Sequence, residues 1–245
     1  MNDIILSIFR EKTMVGESGV SHALHSGIDQ TEGKFLYDLI KENPHIKNTM
    51  EIGCAYGISS LYITEALRGR AGAHHTIIDP FQKTQWDGVG LLNLKKAGID
   101  YYSWIEGKSE MALPQILQTK ENSFDFIFID GWHTFDHTLL DIFYSTRLLK
   151  VGGILAVDDV NMPAVKKAVD FTLEYPCYEE FRRISYSHQP EKIPLGHGIK
   201  AACKGIAKKI FSVGSKRDRE VHTSMIALKK IAADERRWDW HCDIF

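Results

Sequence analysis

Three aspartates follow two strand-like runs in the middle of the chain, and carboxylates grouped in this way can bind a cation. Asp130 closes the apolar run 126–129, and the pair Asp158 and Asp159 closes the run 154–157. A helical segment separates the two runs, as in a crossover between parallel strands, so both should end at the same edge of one sheet. Mg²⁺ prefers oxygen ligands and keeps positions open for water or substrate. The three carboxylates are therefore predicted to converge on a divalent metal, although single aspartates at strand ends also cap turns.

A histidine with suitable chemistry lies beside this cluster. His133 follows Asp130 by three residues, and an imidazole that titrates near pH 6.5 can take the proton of a hydroxyl group. His133 and Asp130 are the predicted catalytic residues, with a cation that lowers the pKa of the acceptor hydroxyl. Two alternatives stay open. His133 could only cap or pack at a helix start, or it could bind Zn²⁺ together with His137 and Asp130, which the surrounding carboxylates disfavour.

A glycine-rich turn joins the first predicted strand to the helix that follows it. Residues 51–60 read EIGCAYGISS, and Gly53 and Gly57 would let the backbone approach a ligand next to the free N–H groups of a helix start. The spacing differs from the G-x-G-x-x-G of dinucleotide folds, and a plain tight turn is the alternative. Asp79 closes the next strand, where a carboxylate can accept both hydroxyls of a ribose or else cap the turn at Pro80.

The elements that must position these residues alternate between strand and helix from about residue 45 to about residue 185, which predicts an α/β fold with a doubly wound, Rossmann-like sheet. We expect a mostly parallel, seven-stranded sheet with an antiparallel last strand. The expected strands are 48–52, 75–78, 101–105, 126–129, 154–157, 180–185 and 224–231.

Length and composition narrow the class of protein. The 245 residues suffice for one large core, and the formal net charge of -2 gives no general affinity for nucleic acid. Cysteines 54, 177, 203 and 242 match no zinc or disulfide spacing, so reduced thiols and a cytoplasmic location are expected. The sequence contains no apolar run of roughly 20 residues that could span a bilayer, and its N-terminus is too polar for a secretory signal.

The motifs together resemble one enzyme superfamily. The turn at 51–60, Asp79, the stretch GKSEMALP at 107–114, and FDFIFID followed by LLKVGGILAVDD are similar to class I S-adenosylmethionine-dependent methyltransferases. Within that superfamily they resemble the metal-dependent small-molecule O-methyltransferases of the catechol, caffeoyl-CoA and sugar types. The similarity covers residues 45–185. The Asp158–Asp159 pair departs from the Asp-Asn of many plant and animal catechol-type enzymes and looks more like the sugar O-methyltransferases of antibiotic pathways.

The resemblance implies two cofactors, S-adenosyl-L-methionine and Mg²⁺ or another divalent cation, and in the sugar-type enzymes a histidine at the spacing of His133 is a proposed base. The metal ligands by this similarity would be Asp130, Asp158 and Asp159. Asp79 would hold the ribose and Ser109 would edge the adenine. The implied cofactor-binding residues are Glu51, Gly53, Tyr56, Gly57, Ser59, Asp79, Ser109 and Asp130, of which the first five would line the methionine end.

The sequence thus predicts one methyltransferase domain over residues 1–245 that transfers a methyl group, with metal assistance, to a hydroxyl of a small molecule or sugar with adjacent oxygens. The alternatives are a metal-independent N- or O-methyltransferase of the same fold and a catalytically silent S-adenosylmethionine-binding partner protein. Nucleic-acid methylation is disfavoured because no recognised reading module is present. Trp132 is the tryptophan favoured to contact substrate, ahead of Trp86 and Trp104.

Three segments flank the cofactor-binding core at 45–185. Residues 1–33 are expected to cover the active site or to pair subunits in a homodimer. Residues 186–220 carry eight Lys or Arg against three acids, and a basic amphipathic helix is predicted at 198–212. That helix could serve as a lid, pack against another subunit, contact an anionic membrane surface or grip a phosphorylated substrate. Residues 221–245 should form the last strand and a C-terminal tail.

Overall fold

A computed structural model describes residues 2–187 and 221–242 of the chain. The helices are α1 (Asp3–Glu11), α2 (Gln30–Lys41), α3 (Ile58–Leu67), α4 (Val89–Lys96), α5 (Ser109–Lys120), α6 (Phe135–Leu148) and α7 (Pro163–Leu173). The strands are β1 (Thr13–Val15), β2 (Ser21–Ala23), β3 (Asn48–Ile52), β4 (His74–Ile78), β5 (Tyr102–Ile105), β6 (Phe124–Ile129), β7 (Leu149–Val157), β8 (Tyr178–Ser187) and β9 (Val221–Lys230).

The predicted fold class is confirmed by the central sheet. Its seven strands lie in the order β5-β4-β3-β6-β7-β9-β8, and β9 runs antiparallel to both of its neighbours while the pairs from β5 to β7 are parallel. The strand order reverses between β3 and β6, because the chain adds β4 and β5 on one side and the later strands on the other. Open α/β sheets bind ligands at such a switch point, outside the carboxyl ends of the strands.

Both faces of the sheet are buried, which explains why β6 and the end of β7 contain continuous apolar runs at 126–129 and 154–157 rather than alternating ones. In β6, Phe126 and Phe128 belong to the core under α1 to α4, whereas Ile127 and Ile129 belong to the core under α5 to α7. Successive side chains of a strand point to opposite faces, so one strand supplies two cores. The result is a sheet sandwiched between two helical layers.

Helix starts near the switch point use different local chemistry. Asp29 caps α2, and the side chain of Glu32 accepts a hydrogen bond from the Asp29 amide, which completes a capping box. Pro163 opens α7 at a position where its missing N–H costs no hydrogen bond. No side chain caps α3, which begins after Gly57.

The N-terminal segment is fastened to the loop that follows β4. The hairpin of β1 and β2 meets Asp87, whose carboxylate accepts from the Ser18 amide at 3.1 Å and lies 3.0 Å from His22 Nε2. Asp87 lies directly before Gly88, where α4 is about to begin. This attachment brings residues 25–32 over the carboxyl edge of the sheet.

The predicted basic helix at 198–212 lies outside the described residues, whereas the two strands that flank residues 188–220 are described as β8 and β9. Across residues 2–187 and 221–242, no helix has the length and apolar character needed to cross a membrane. Cys54, Cys177 and Cys242 are free thiols.

Candidate active site

A cavity of about 970 Å³ opens at the switch point, within the size range of small-molecule sites. The ends of β3, β4, β6 and β7 form its floor, and the start of α5 and residues 25–32 form its sides. Nine of the eleven sequence-predicted site residues line it: Gly53, Tyr56, Ser59, Asp79, Ser109, Asp130, His133, Asp158 and Asp159. The structure therefore brings these nine residues together at one cavity, and their individual roles stay predictions.

The turn after β3 is held tightly against the end of β6. Gly53 has a φ of 87°, and a Cβ on it would lie 1.9 Å from the backbone oxygen of Asp130. Gly57, with a φ of 76°, would meet the backbone of Gly90 at 2.8 Å. From the sequence, both glycines are predicted to let the backbone approach a ligand. In the structure, close backbone packing already requires them, and Gly57 does not itself line the cavity.

Glu51 is the second predicted cofactor residue that the structure places elsewhere. Its side chain is fully buried behind the cavity, where it accepts a hydrogen bond from Ser60 and lies 3.6 Å from His75 Nε2. The strand alternation explains this correction, because successive residues of β3 point to opposite faces and Glu51 shares its face with the helix α3 layer. Glu51 therefore lies behind the turn against α3 and does not line the cavity, so its contact with the methionine end stays a prediction.

Asp79 lies at the cavity wall, and its carboxylate organises the turn. One oxygen accepts from the amides of Cys54 at 2.9 Å and Ala55 at 3.0 Å, and the other accepts from the amide of Phe81 at 2.7 Å. The hydrogen bond from the Phe81 amide caps the turn at Pro80, which is the alternative role predicted for Asp79 from the sequence. A carboxylate has about four acceptor sites, so binding of a ribose by Asp79 stays a prediction.

A cluster of three potential metal ligands lies on the opposite wall. One atom from each of Asp130, His133 and Asp159 falls within 4.8 Å of the other two. His133 Nε2 is 3.3 Å from Asp130 Oδ1 and 3.0 Å from Asp159 Oδ2. Asp159 has a φ of 54°, a left-handed conformation that aspartate tolerates better than most residues and that orients its side chain at the strand end. Carboxylate oxygens with one imidazole suit a divalent cation.

Asp158 completes the carboxylate group from a more buried position. Its Oδ1 accepts a hydrogen bond from the Asp159 amide at 2.8 Å, and only 7% of the residue is exposed. Burial and the neighbouring Asp130 raise the pKa of Asp158 to about 9, and burial raises that of Asp130 to about 6 even though His133 lowers it. The hydrogen bond that His133 donates to the Asp130 carboxylate raises the pKa of His133 in turn. Burial and proximity thus disfavour the simultaneous ionisation of these carboxyl groups, and a bound cation would offset that cost.

The zinc alternative with two histidines is not supported by the positions of the side chains. His137 Nδ1 lies 2.8 Å from the Thr134 hydroxyl and 3.5 Å from Asp136, and among the described residues it is absent from the three-ligand cluster. His137 lines the cavity wall instead.

Glu32 belongs to the site although sequence reasoning did not select it. It lines the cavity, and its pKa is raised mainly by burial and further by the charge of Asp159, while the charge of Glu32 adds to the raised pKa of Asp158. Its spacing from Asp29 identifies a helix cap and gives no sign of a partner about 130 residues away in sequence. Only the three-dimensional fold reveals this proximity.

An aromatic wall closes the side of the cavity nearest the N-terminal segment. The Tyr56 hydroxyl lies 2.8 Å from His25 Nδ1, and the Tyr56 ring packs edge-on against Trp86 at 5.1 Å between centroids. His25 was not selected from the sequence, and Trp86 lines the cavity together with Trp132, which is 59% exposed at the rim. Trp104 does not line the cavity, because its indole N–H donates to the backbone oxygen of Asp79.

Comparisons with known proteins agree with this geometry. Residues 50–160 match the family described as "Methyltransferase domain". A Dictyostelium discoideum protein named probable caffeoyl-CoA O-methyltransferase 2 is 31% identical over 140 residues, which cover 56% of this chain and 57% of that protein. Tapetum-specific methyltransferase 1 of Arabidopsis thaliana is 33% identical over 158 residues, which cover 63% of each. The chain therefore spans little more than half the length of such relatives.

A solved structure shows the same fold over nearly the whole chain. An O-methyltransferase from Bacillus cereus in complex with SAH superposes with a TM-score of 0.63 at 18% identity, and the match covers 94% of this chain and 92% of that one. Likeness at this level of identity concerns the fold alone, whereas the family match includes the glycine-rich turn at 51–60 and the aspartates Asp130, Asp158 and Asp159. Residues 50–160 are therefore similar to a methyltransferase domain family, and the chain is similar in sequence to O-methyltransferases of the caffeoyl-CoA type.

Proposed function

We propose that the protein is an S-adenosylmethionine-dependent O-methyltransferase that uses a divalent cation to methylate a hydroxyl of a small molecule with adjacent oxygens. The observation that carries this proposal is the position of the Asp130–His133–Asp159 cluster, which shares one cavity with the glycine-rich turn at 51–60. The cofactor's methyl group and the acceptor hydroxyl would thereby meet in one cavity.

The cofactor would lie along the ends of β3 and β4. In this placement Gly53, Tyr56 and Ser59 face its methionine part, Asp79 faces the ribose, and Ser109 at the start of α5 faces the adenine, since all five line the cavity. The first-turn amides of α5 have no side-chain cap among the described residues, because Lys108 at the cap position makes no such bond. Amides of this kind are suited to a ring nitrogen or another acceptor.

The cation would be held by Asp130, Asp158 and Asp159, and the pKa values of Asp130 and Asp158 are raised mainly by burial and further by the negative charge of their neighbours. When bound, it supplies positive charge that lowers the pKa of the acceptor hydroxyl and fixes its orientation. Glu32 adds a further carboxylate beside Asp158 and extends the negative field toward the N-terminal segment.

His133 would take the hydroxyl proton on Nε2. Its neighbours Asp130 and Asp159 lie 3.3 Å and 3.0 Å from that atom, so they stabilise the imidazolium that forms. The raised pKa of His133 makes it a better proton acceptor. The wall of His25, Tyr56 and Trp86 keeps water from the methyl group and offers aromatic faces to a flat acceptor.

A second candidate function is a metal-free O-methyltransferase of the same fold. It is favoured by one observation, that His133 already bridges Asp130 and Asp159 through ion pairs. In that enzyme the two carboxylates would orient His133 and the acceptor without a cation.

The two candidates are separated by transfer assays with labelled S-adenosylmethionine and a panel of catechols, caffeoyl-CoA and diol-bearing sugars. The metal-assisted enzyme loses activity after chelation and regains it with Mg²⁺ or Mn²⁺. Activity that is unchanged by chelation supports the metal-free enzyme, and binding of S-adenosylmethionine without transfer to any acceptor would favour a silent binding protein.

A further inference from the structure

Asp141 on α6 is a buried carboxylate that the proposed mechanism does not use. Its side chain is fully buried, and neither oxygen has a hydrogen-bond partner within the described part of the chain. Burial raises the pKa of Asp141 to about 7. Ser109 and His137 lower this pKa by smaller amounts, and Glu110 adds to the increase. A buried ionisable group without a hydrogen-bond partner costs stability, so a role at the site would explain the presence of Asp141.

Asp141 lies directly beneath the cavity floor. Its Oδ2 is 3.4 Å from the place that a Cβ on Gly131 would occupy, and Gly131 lines the cavity. The Ser109 hydroxyl lies near enough to lower the pKa of Asp141, although the two side chains fall short of hydrogen-bond geometry. Ser109 also lines the cavity. A rotation of the Ser109 side chain would therefore let its hydroxyl donate to Asp141 from the cavity wall.

The direction of that hydrogen bond matters because a hydroxyl has one proton and two acceptor lone pairs. If the proton is committed to Asp141, Ser109 presents only lone pairs to a ligand. The neighbouring first-turn amides of α5 present only donors. The wall then offers one acceptor beside one donor, a pattern that matches the amino group and ring nitrogen of adenine. Hypoxanthine has the opposite pattern, with an oxygen and a ring N–H.

We propose that Asp141 is a positioning residue that orients the Ser109 hydroxyl as an acceptor, so that the cavity selects a 6-aminopurine cofactor over a 6-oxopurine one. This inference rests on the proposed function, since it requires the adenosyl cofactor in this cavity. In this proposal a buried side chain determines which purine base the site accepts, and it takes no part in methyl transfer.

The test compares the affinities of S-adenosylhomocysteine and S-inosylhomocysteine by calorimetry. Wild-type protein should prefer the adenosyl compound, and Asp141→Asn, whose amide can donate to Ser109, should reduce that preference roughly three- to tenfold, the range for one hydrogen bond. Asp125→Asn is the matched control. Asp125 is also buried, but it binds the amides of Lys47 and Asn48 at the other end of the sheet, so its loss should leave the ratio of affinities unchanged.

A double-mutant cycle separates positioning from general destabilisation. Ser109→Ala should itself reduce the preference, and Asp141→Asn should then reduce it no further, because Asp141 acts through Ser109. In wild-type protein the preference should also weaken below about pH 7, where a protonated Asp141 can donate, and it should be independent of pH in Asp141→Asn. That variant retains His137 and Glu110, the other titratable groups that act on Asp141.

Two results would overturn the inference while leaving the proposed function standing. One is an adenosyl-to-inosyl ratio in Asp141→Asn equal to that of the wild type, and the other is an equal effect of Asp141→Asn with and without Ser109. If wild-type protein bound neither compound, the inference and the proposed cofactor would fail together.

Discussion

At the scale of single residues, the site is defined by how many carboxylates surround one imidazole. Asp130 and Asp159 contact His133 directly, while Asp158 and Glu32 stand behind them. The balance between these charges decides whether His133 works as a base, and it decides how strongly a cation is attracted.

Replacement of His133 by glutamine should slow methyl transfer far more than it weakens cofactor binding. Glutamine keeps a polar side chain but cannot take the hydroxyl proton, so we expect kcat to fall roughly 10²- to 10⁴-fold, with the affinity for S-adenosylhomocysteine unchanged. His45→Gln, at an exposed position, is the control. A His133→Gln enzyme with kcat near that of the wild type would exclude the proposed base.

Replacement of Asp130 by asparagine should weaken cation binding. The loss of a negatively charged ligand is expected to raise the Kd for Mn²⁺ roughly 10- to 100-fold, comparable to or larger than the effect of losing a supporting group, and Mn²⁺ binding can be followed by electron paramagnetic resonance. Asp136→Asn removes the same charge from a side chain that is 79% exposed and outside the cluster, so it should have no effect. Equal Kd values for both variants would contradict the assigned metal site.

The buried Asp141 should also make stability depend on pH. Its pKa is about 7 in the folded protein, against an ordinary value of 3.8, so the folded state holds a proton that the unfolded chain releases. The stability that this proton provides is present below about pH 4 and is lost as the pH rises toward 7. In denaturant unfolding, the free energy of the wild type minus that of Asp141→Asn should fall across this window.

The opposite sign is expected for Asp125, whose pKa is lowered overall. Burial raises it, but the amides of Asn48 and Lys47 and the ammonium group of Lys150 outweigh that effect. Its contribution to stability is present above the ordinary pKa and is lost as the pH falls from there through the lower pKa of the folded state. A difference between wild type and Asp141→Asn that did not change between pH 4 and pH 7 would exclude a raised pKa for Asp141.

Residue chemistry was predictable where a strand end fixed a side chain. Asp130, Asp158 and Asp159 follow apolar runs whose period and spacing identify the sheet edge, so their convergence followed from the sequence. The buried position of the Glu51 side chain was not predictable, because a motif match does not show which face of β3 a side chain occupies. Glu32 and His25 reach the site from the N-terminal segment, and contacts that distant in sequence leave no local pattern.

At the scale of elements, the turn between β3 and α3 depends on its packing against neighbouring backbone. Positive φ angles at Gly53, Ala55 and Gly57 curl the chain so that it passes under the ends of β4 and β6. The sequence predicted the strand, the turn and the helix with nearly the observed bounds. It could not show that the turn's closest neighbour is the Asp130 backbone, because that contact joins distant parts of the chain.

Substitution of Gly53 by alanine should therefore be much more damaging than the same change at Gly69. Both glycines have φ near 80°, but the new Cβ would meet Asp130 at 1.9 Å in the first case and nothing within 4 Å in the second. We expect Gly69→Ala to lower the free energy of unfolding by about 1–2 kcal/mol through backbone strain. Gly53→Ala should lower it by more than about 4 kcal/mol. Equal costs in thermal unfolding would show that packing against β6 is unimportant.

At the scale of the whole molecule, the sheet order brings every part of the site together. The reversal between β3 and β6 places the glycine-rich turn after β3 beside Asp130, and the neighbouring strand β7 supplies Asp158 and Asp159. Alternating strand and helix patterns were enough to predict this architecture. The acceptor was not predictable, since the walls of the cavity come partly from the irregular N-terminal segment. A cytoplasmic location, a homodimer and a membrane or lid role for 198–212 stay predictions.

The most direct test of the central claim is calorimetric titration of metal-stripped protein, first with S-adenosylmethionine and then with a panel of catechols, caffeoyl-CoA and diol-bearing sugars, with and without Mg²⁺. We predict that S-adenosylmethionine binds to the metal-stripped protein, and that at least one acceptor binds only when both the cofactor and the cation are present. Acceptor binding that is indifferent to the cation would contradict the metal-assisted mechanism, and failure of S-adenosylmethionine to bind would contradict the proposed function as a whole.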